Sequence, residues 1–171
     1  MKLTKLALKN YRCFSNFEID FHPELTVIVA HNGGGKTAIL DAVAIAFGPF
    51  IGAFDEATGK HFDIEDVRQI RVRETQSNEM ESQFPLELKV IGEIGGFEKK
   101  WSRELNSKKG RTTAKKNASA IINYGKDLQE KIRNSTTSES TILPIVSYYG
   151  TGRLWNQERL SEEKSRKISR T

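Results

Sequence analysis

The sequence predicts an α/β domain, a mixed β-sheet with an antiparallel part and flanking helices, and three observations carry that expectation. Two stretches near the start alternate apolar and polar residues with the period of a half-buried strand. An almost uninterrupted apolar run, Leu25-Thr26-Val27-Ile28-Val29, leads through a glycine-rich loop into a segment of helical periodicity. A second pair of alternating stretches between residues 84 and 106 flanks Gly95-Gly96 and reads as a β-hairpin.

The elements follow in order. Leu6 and Leu8 mark the first strand and Phe17, Ile19 and Phe21 the second, with a turn expected near Ser15 and Asn16. The run Leu25 to Val29 is expected to be the core strand, covered on both faces. Ile39, Ala42, Val43, Ala46 and Phe47 then recur at i, i+3, i+4, i+7 and i+8, one buried face of a helix that Gly48-Pro49 is expected to end. Residues 51–82 read as a long connection with at most one short helix, for which Asp63 is the candidate N-cap. After the hairpin come a basic loop over 107–117 and an amphipathic helix marked by Ile121, Gly125, Leu128 and Ile132. Asn134 to Thr141 reads as a polar linker, residues 142–155 as a second core strand and loop, and the remainder as a charged helical tail.

Composition narrows the function classes. The 171 residues suit one domain or one large piece of a bigger one. No run of 18 apolar residues occurs and the N-terminus interleaves lysines with leucines, so neither a membrane span nor secretion is indicated and a cytoplasmic location is expected. One cysteine, Cys13, and three scattered histidines exclude a disulfide scaffold and a structural zinc site. The net charge of +5 is local. Between Glu98 and Arg133 lie 11 Lys/Arg against 4 Asp/Glu, while the rest of the chain carries −2.

The strongest motif is Ala30-His31-Asn32-Gly33-Gly34-Gly35-Lys36-Thr37, of the form [A/G]-x-x-x-x-G-K-[S/T]. Glycines let the backbone curl so that successive N–H groups face an anion, and the following helix aims its positive end at the same point. Gly33, Gly34 and Gly35 permit close approach, Lys36 reaches β- and γ-phosphates, and Thr37 offers its hydroxyl to magnesium. With Ala38 at the helix start, this loop is the candidate site for ATP and Mg2+.

Met1 to Leu6 opening a strand, Asn10-Tyr11-Arg12-Cys13-Phe14 closing it, and Asn32 inside the loop together resemble the N-terminal lobe of SMC/RecF/OLD-type ATPases of the ABC class. Leu143 to Arg153 is similar to a segment of AAA-annotated bacterial relatives, including the ATPases of Septu and retron-associated phage defence. The resemblance implies a P-loop NTPase lobe, with Arg12 and Asn32 contacting the nucleotide. Residues around Val146 to Tyr149 fall where the family has its Q-loop, yet no glutamine stands there and the nearest is Gln157. Arg153 reads as a loop salt bridge before a second-site contact.

A Walker B segment and a signature motif are both missing, and Phe17-Glu18-Ile19-Asp20, the nearest apolar-acidic run, reads as an edge strand. The chain is therefore expected to be the N-terminal lobe of a longer protein, cut short or encoded as a truncated gene, which binds ATP without hydrolysing it and has no catalytic residue of its own. The expected whole is an ATPase acting on DNA in repair or anti-phage defence, self-associating through the nucleotide site, with a nuclease as a candidate partner and no membrane contact. The alternatives are a nucleic-acid-binding module with a vestigial P-loop and the motor subunit of an ABC transporter. DNA would be met through Lys99–Lys116, where 8 of 18 residues are Lys or Arg, with Lys99, Trp101 and Arg103 on one strand face and Trp101 in the core.

Overall fold

The computed structural model describes residues 1–74, 77–113, 117–134 and 142–150. Strand β1, Lys2–Tyr11, and β2, Phe14–Asp20, form an antiparallel pair whose turn falls at Arg12-Cys13, ahead of the expected Ser15-Asn16. A left-handed backbone at Arg12 (φ 47°) makes the tight turn there. Strands β5, Leu86–Ile94, and β6, Phe97–Leu105, are joined at Gly95 and Gly96, whose φ of 60° and 83° suit a two-residue hairpin of matching twist. The sheet order is β2-β1-β5-β6, antiparallel throughout.

Register explains the core. Ile19, Leu6, Val90 and Trp101 form one cross-strand row, and Phe17, Leu8, Leu88 and Arg103 the next. The period of two puts both rows on one face, and helix α1, Lys36–Ile51, covers it with Ile39, Ala42, Ile45, Ala46 and Phe50. Each fully buried leucine or isoleucine here contributes about 1.5–3 kcal/mol. Helix α2, Ser119–Asn134, packs beside α1 through Ile121, Gly125 and Leu128. The helix-weakening Gly125 has a packing reason, because a Cβ there would sit 2.8 Å from Ala53 Cβ and 3.2 Å from the Phe50 carbonyl.

Four expectations need correction. Pro49 does not end the helix: α1 runs on to Ile51 because side chains from β6 take over the carbonyls near the break. Arg103 Nη1 donates to Ile45 O at 2.8 Å, the acceptor that Pro49 has no N–H to serve, and Trp101 Nε1 donates to Ala46 O at 2.9 Å. The 51–82 connection holds, besides the 3₁₀ turn Ile64–Asp66 capped by Asp63, a separate antiparallel hairpin of β3, Gln69–Glu74, and β4, Ser77–Ser82. Its strands carry too few apolar residues for the alternation to show.

The other two corrections concern the expected core strands. Leu25 to Val29 has no ladder partner among the described residues, and Leu25, Val27 and Val29 are 71%, 71% and 87% exposed. Ile142 to Tyr148 is likewise not a strand, with Ile142 and Ile145 87% and 91% exposed. A strand apolar on both faces is stable only between neighbours, and among the described residues neither segment pairs with an edge of the sheet. The 134–141 linker beyond Asn134, the loop after Gly150 and the charged tail lie outside the described residues, as do Lys115, Lys116, Arg153 and Gln157.

Candidate nucleotide-binding loop

The loop at 30–37 enters α1 through Gly35, the N-cap residue, in a left-handed conformation with φ 83°. Gly33 is also left-handed, at φ 82°, and the Gly34 N–H donates to His31 O at 3.1 Å. Gly35 lies hard against the β1–β2 turn: a Cβ there would stand 2.5 Å from Phe14 Cζ and 2.9 Å from Cys13 Sγ. Only glycine satisfies both the dihedral and the space.

No side chain caps α1, so the N–H groups of Lys36, Thr37 and Ala38 have no intrahelical acceptor and the positive end of the helix is open. The Ile39 N–H is the first to reach back, to Gly35 O at 3.0 Å. Lys36 Nζ lies across the loop and donates to Ala30 O at 2.6 Å and His31 O at 2.8 Å. Asn32 and Thr37 are both exposed, and Ala38 is buried. This donor set fits a polyphosphate. A magnesium ion would be met by the exposed Thr37 hydroxyl, and among the described residues there is no group of three His, Cys, Asp or Glu that could hold a metal ion. A magnesium ion here would take its other ligands from phosphate and water, as that ion prefers.

Arg12 stands otherwise than expected. Its guanidinium is held by two carboxylates, Nη1 donating to Asp41 Oδ2 at 2.6 Å and Nε to Asp66 Oδ1 at 2.8 Å, while its own N–H donates to Asp66 O at 2.7 Å. Burial alone would lower the Arg12 pKa, but the two carboxylates outweigh it and raise it. Asp41 is one helical turn beyond Thr37 and is the hub of the cluster, accepting also from Lys60 Nζ and from Tyr148 OH at 2.5 Å. Burial pushes its carboxyl up, and Lys60, Tyr148 and Arg12 together bring it below the ordinary value. The Tyr148 hydroxyl is pushed up to about 12 by burial and by Asp41. Lys60 Nζ further lies 4.7 Å from the Tyr148 ring centroid, so charge helps to tie the 142–150 segment to α1.

Sequence reasoning missed Asp41, Lys60, Asp66 and Tyr148. Asp41 was the findable one, an acid flanked by Ile39, Leu40, Ala42 and Val43 in an apolar helix. In the basic segment, Trp101 is in the core as expected, but Arg103 shares that buried face and is 0% exposed, so it offers nothing to a phosphate backbone. Lys99, Lys100, Lys108, Lys109 and Arg111 are exposed.

Comparison with known proteins agrees with this geometry. Residues 5–171 match the model of a family described as AAA domain. Over 47 residues the chain is 45% identical to structural maintenance of chromosomes protein 6A of Arabidopsis thaliana, covering 28% of this chain and 4% of that protein. It is 44% identical over 43 residues to the DNA replication and repair protein RecF of Lactococcus lactis subsp. cremoris, 25% of this chain and 12% of the relative. Over 46 residues it is 39% identical to the DNA double-strand break repair Rad50 ATPase of Halobacterium salinarum, 27% of this chain and 5% of the relative. The matches thus span only a small part of these relatives. No helix among the described residues is long and apolar enough to cross a membrane. With the glycine-rich loop opening α1 and the family match over nearly the whole chain, the protein belongs to the AAA domain family and carries an SMC/RecF-like, ABC-class P-loop ATPase N-terminal region.

Proposed function

We propose that this chain binds ATP with Mg2+ through residues 30–38 and is the nucleotide-holding part of an ATPase that acts on DNA, in repair or in anti-phage defence. The observation that carries the reading is the uncapped N-terminus of α1 behind Gly33 and Gly35, with Lys36 bonded among the described residues to carbonyls of its own loop. On binding, Lys36 exchanges those two carbonyls for phosphate oxygens, and the first-turn N–H groups gain the acceptor they lack. Asn32 borders the phosphates, and Thr37 ligates the metal. Arg12 reaches the nucleotide by leaving Asp41 for a phosphate oxygen, with Asp66 keeping its Nε.

The DNA role is supported by the names of the RecF and Rad50 relatives. Phage defence is supported by the likeness of residues 143–153 to defence ATPases. The exposed apolar segments 25–29 and 142–146 support a lobe whose sheet is completed by strands outside this chain. Completion and self-association of that kind would supply the water-orienting carboxylate and signature motif that these residues lack, and a partner nuclease would act on the DNA so held.

Calorimetry of ATP–Mg2+ binding tests the assignment. Wild type is expected to bind and Lys36→Ala to lose most of the affinity, and equal affinity with the fold intact would sink it. Turnover by this chain alone is expected to be negligible, because the sequence carries no Walker B carboxylate to orient an attacking water. Phosphate release lost in Lys36→Ala would reveal a catalytic carboxylate among these residues.

A further inference from the structure

Away from the nucleotide loop, a cavity of about 630 Å³ opens between the C-terminal part of α1, the 52–61 connection and the first turn of α2. Its floor is close backbone packing, since a Cβ on Gly59 would collide with the Gly48 carbonyl oxygen. Among the described residues no acidic side chain lines it. Behind it lies Arg103, wholly buried, whose guanidinium meets among the described residues the neutral acceptors Ile45 O at 2.8 Å, Lys60 O at 2.5 Å and His61 Nδ1 at 2.8 Å. Among the described residues its Nε has no partner. Replacing the donor lost at Pro49 needs one neutral N–H, as Trp101 shows at the adjacent carbonyl. It does not need a full charge buried without a counter-ion, which is costly.

The remaining groups converge on the same space. Because His61 Nδ1 accepts from Arg103, the ring proton is assigned to Nε2, leaving that donor for a ligand. Burial and then the Arg103 charge hold His61 below the usual imidazole value, against an opposing pull from Asp63. Lys126 lines the wall with Ser119 and Asn123. The Ile122 N–H bonds Ala118 O at 3.1 Å, which makes Ala118 the N-cap of α2, and an alanine leaves the first-turn N–H groups without a side-chain cap. Pro49, Ala53 and Ile122 give the cavity an apolar side. A helix N-terminus, an ammonium, an imidazole N–H and a buried guanidinium suit a phosphate group, and the volume suits the small body attached to it.

We propose that this cavity is a second anion site, distinct from the nucleotide loop, which takes the phosphate of a small phosphomonoester against His61, Lys126 and the first turn of α2, with Arg103 as the fixed charge behind. It stands whether or not the loop binds ATP. The test is a phenyl phosphate titration of the full chain by two-dimensional amide NMR, in a Lys36→Ala background that removes phosphate binding at the loop. Saturable shifts are expected at residues 52–61 and 119–126, with Lys126→Ala and His61→Gln each weakening binding at least fivefold. Both residues are exposed, so these variants keep the fold that an Arg103 substitution endangers. Shifts confined to residues 30–38, no saturation, or unchanged affinity in both variants would overturn the proposal.

Discussion

Arg103 Nη1 lies 2.8 Å from the Ile45 carbonyl oxygen, the acceptor that Pro49 strips of its helical donor. A residue on β6 therefore repairs a defect in the helix above the sheet, and α1 reaches Ile51 only because β6 is in place. Arg103→Met is expected to destabilise the protein by about 1–3 kcal/mol through the carbonyls left bare. Pro49→Ala restores the helical N–H and is expected to reduce that cost by about 1 kcal/mol. Urea unfolding of the two single variants and the double variant measures the coupling, and the removal of the buried charge cancels in the comparison. Additive effects would show that Arg103 does not serve that carbonyl.

Asp41 joins Arg12, Lys60 and Tyr148, and its carboxyl is held below the ordinary value. A depressed carboxylate contributes stability that is fully present above the unfolded value, about 3.9 for aspartate, and is lost as pH falls through the folded one. Asp41→Asn is expected to lower the melting temperature at pH 7 and to lose that penalty progressively below about pH 4. Melting curves of wild type and variant from pH 7 to pH 2 give the difference directly. A gap that stays constant into acid would mean that the charge of Asp41 is not what holds the cluster.

What the sequence made legible depended on whether its signal was local. The hairpin of β5 and β6 was legible because Gly95-Gly96 specifies its turn, and α2 because Ile121, Leu128 and Ile132 repeat at helical spacing. The entry into α1 was legible because its glycines and Lys36-Thr37 stand within eight consecutive residues. Pro49 misled because the groups that rescue it, Trp101 and Arg103, lie more than fifty residues away. The Asp41 cluster was hidden for the same reason, its partners being drawn from positions 12, 60 and 148. Leu25 to Val29 has the composition of a core strand, yet composition cannot supply the neighbouring strands that burial requires.

Gly33 and Gly35 share a left-handed backbone but differ in surroundings. A Cβ on Gly33 meets nothing within 4 Å, whereas one on Gly35 meets Phe14 Cζ at 2.5 Å and Cys13 Sγ at 2.9 Å. Gly33→Ala is expected to cost the left-handed penalty alone, about 1–2 kcal/mol. Gly35→Ala is expected to add about 1–3 kcal/mol of overpacking and to displace the β1–β2 turn that carries Arg12. Thermal unfolding of the two variants compares them, and equal destabilisation would contradict the packing of the loop against Cys13 and Phe14.

The last prediction concerns Lys99–Lys116. Arg103 leaves the set of cations that can meet a DNA backbone, because it is inside the protein, while Lys99, Lys100, Lys108, Lys109 and Arg111 remain exposed along β6 and the following loop. Exposed cations bind phosphate by releasing counter-ions, which gives affinity that falls steeply with salt and shows little sequence preference. Alanine at Lys108, Lys109, Lys115 and Lys116 is expected to shrink the log–log salt slope of duplex binding by about 0.9 for each phosphate that is no longer neutralised. Lys36→Ala is expected to leave that slope unchanged, since Lys36 lies outside this run. Fluorescence anisotropy over a salt series measures both. An unchanged slope in the quadruple variant would make the run a solvated surface, and the case for DNA would then rest on the relatives alone.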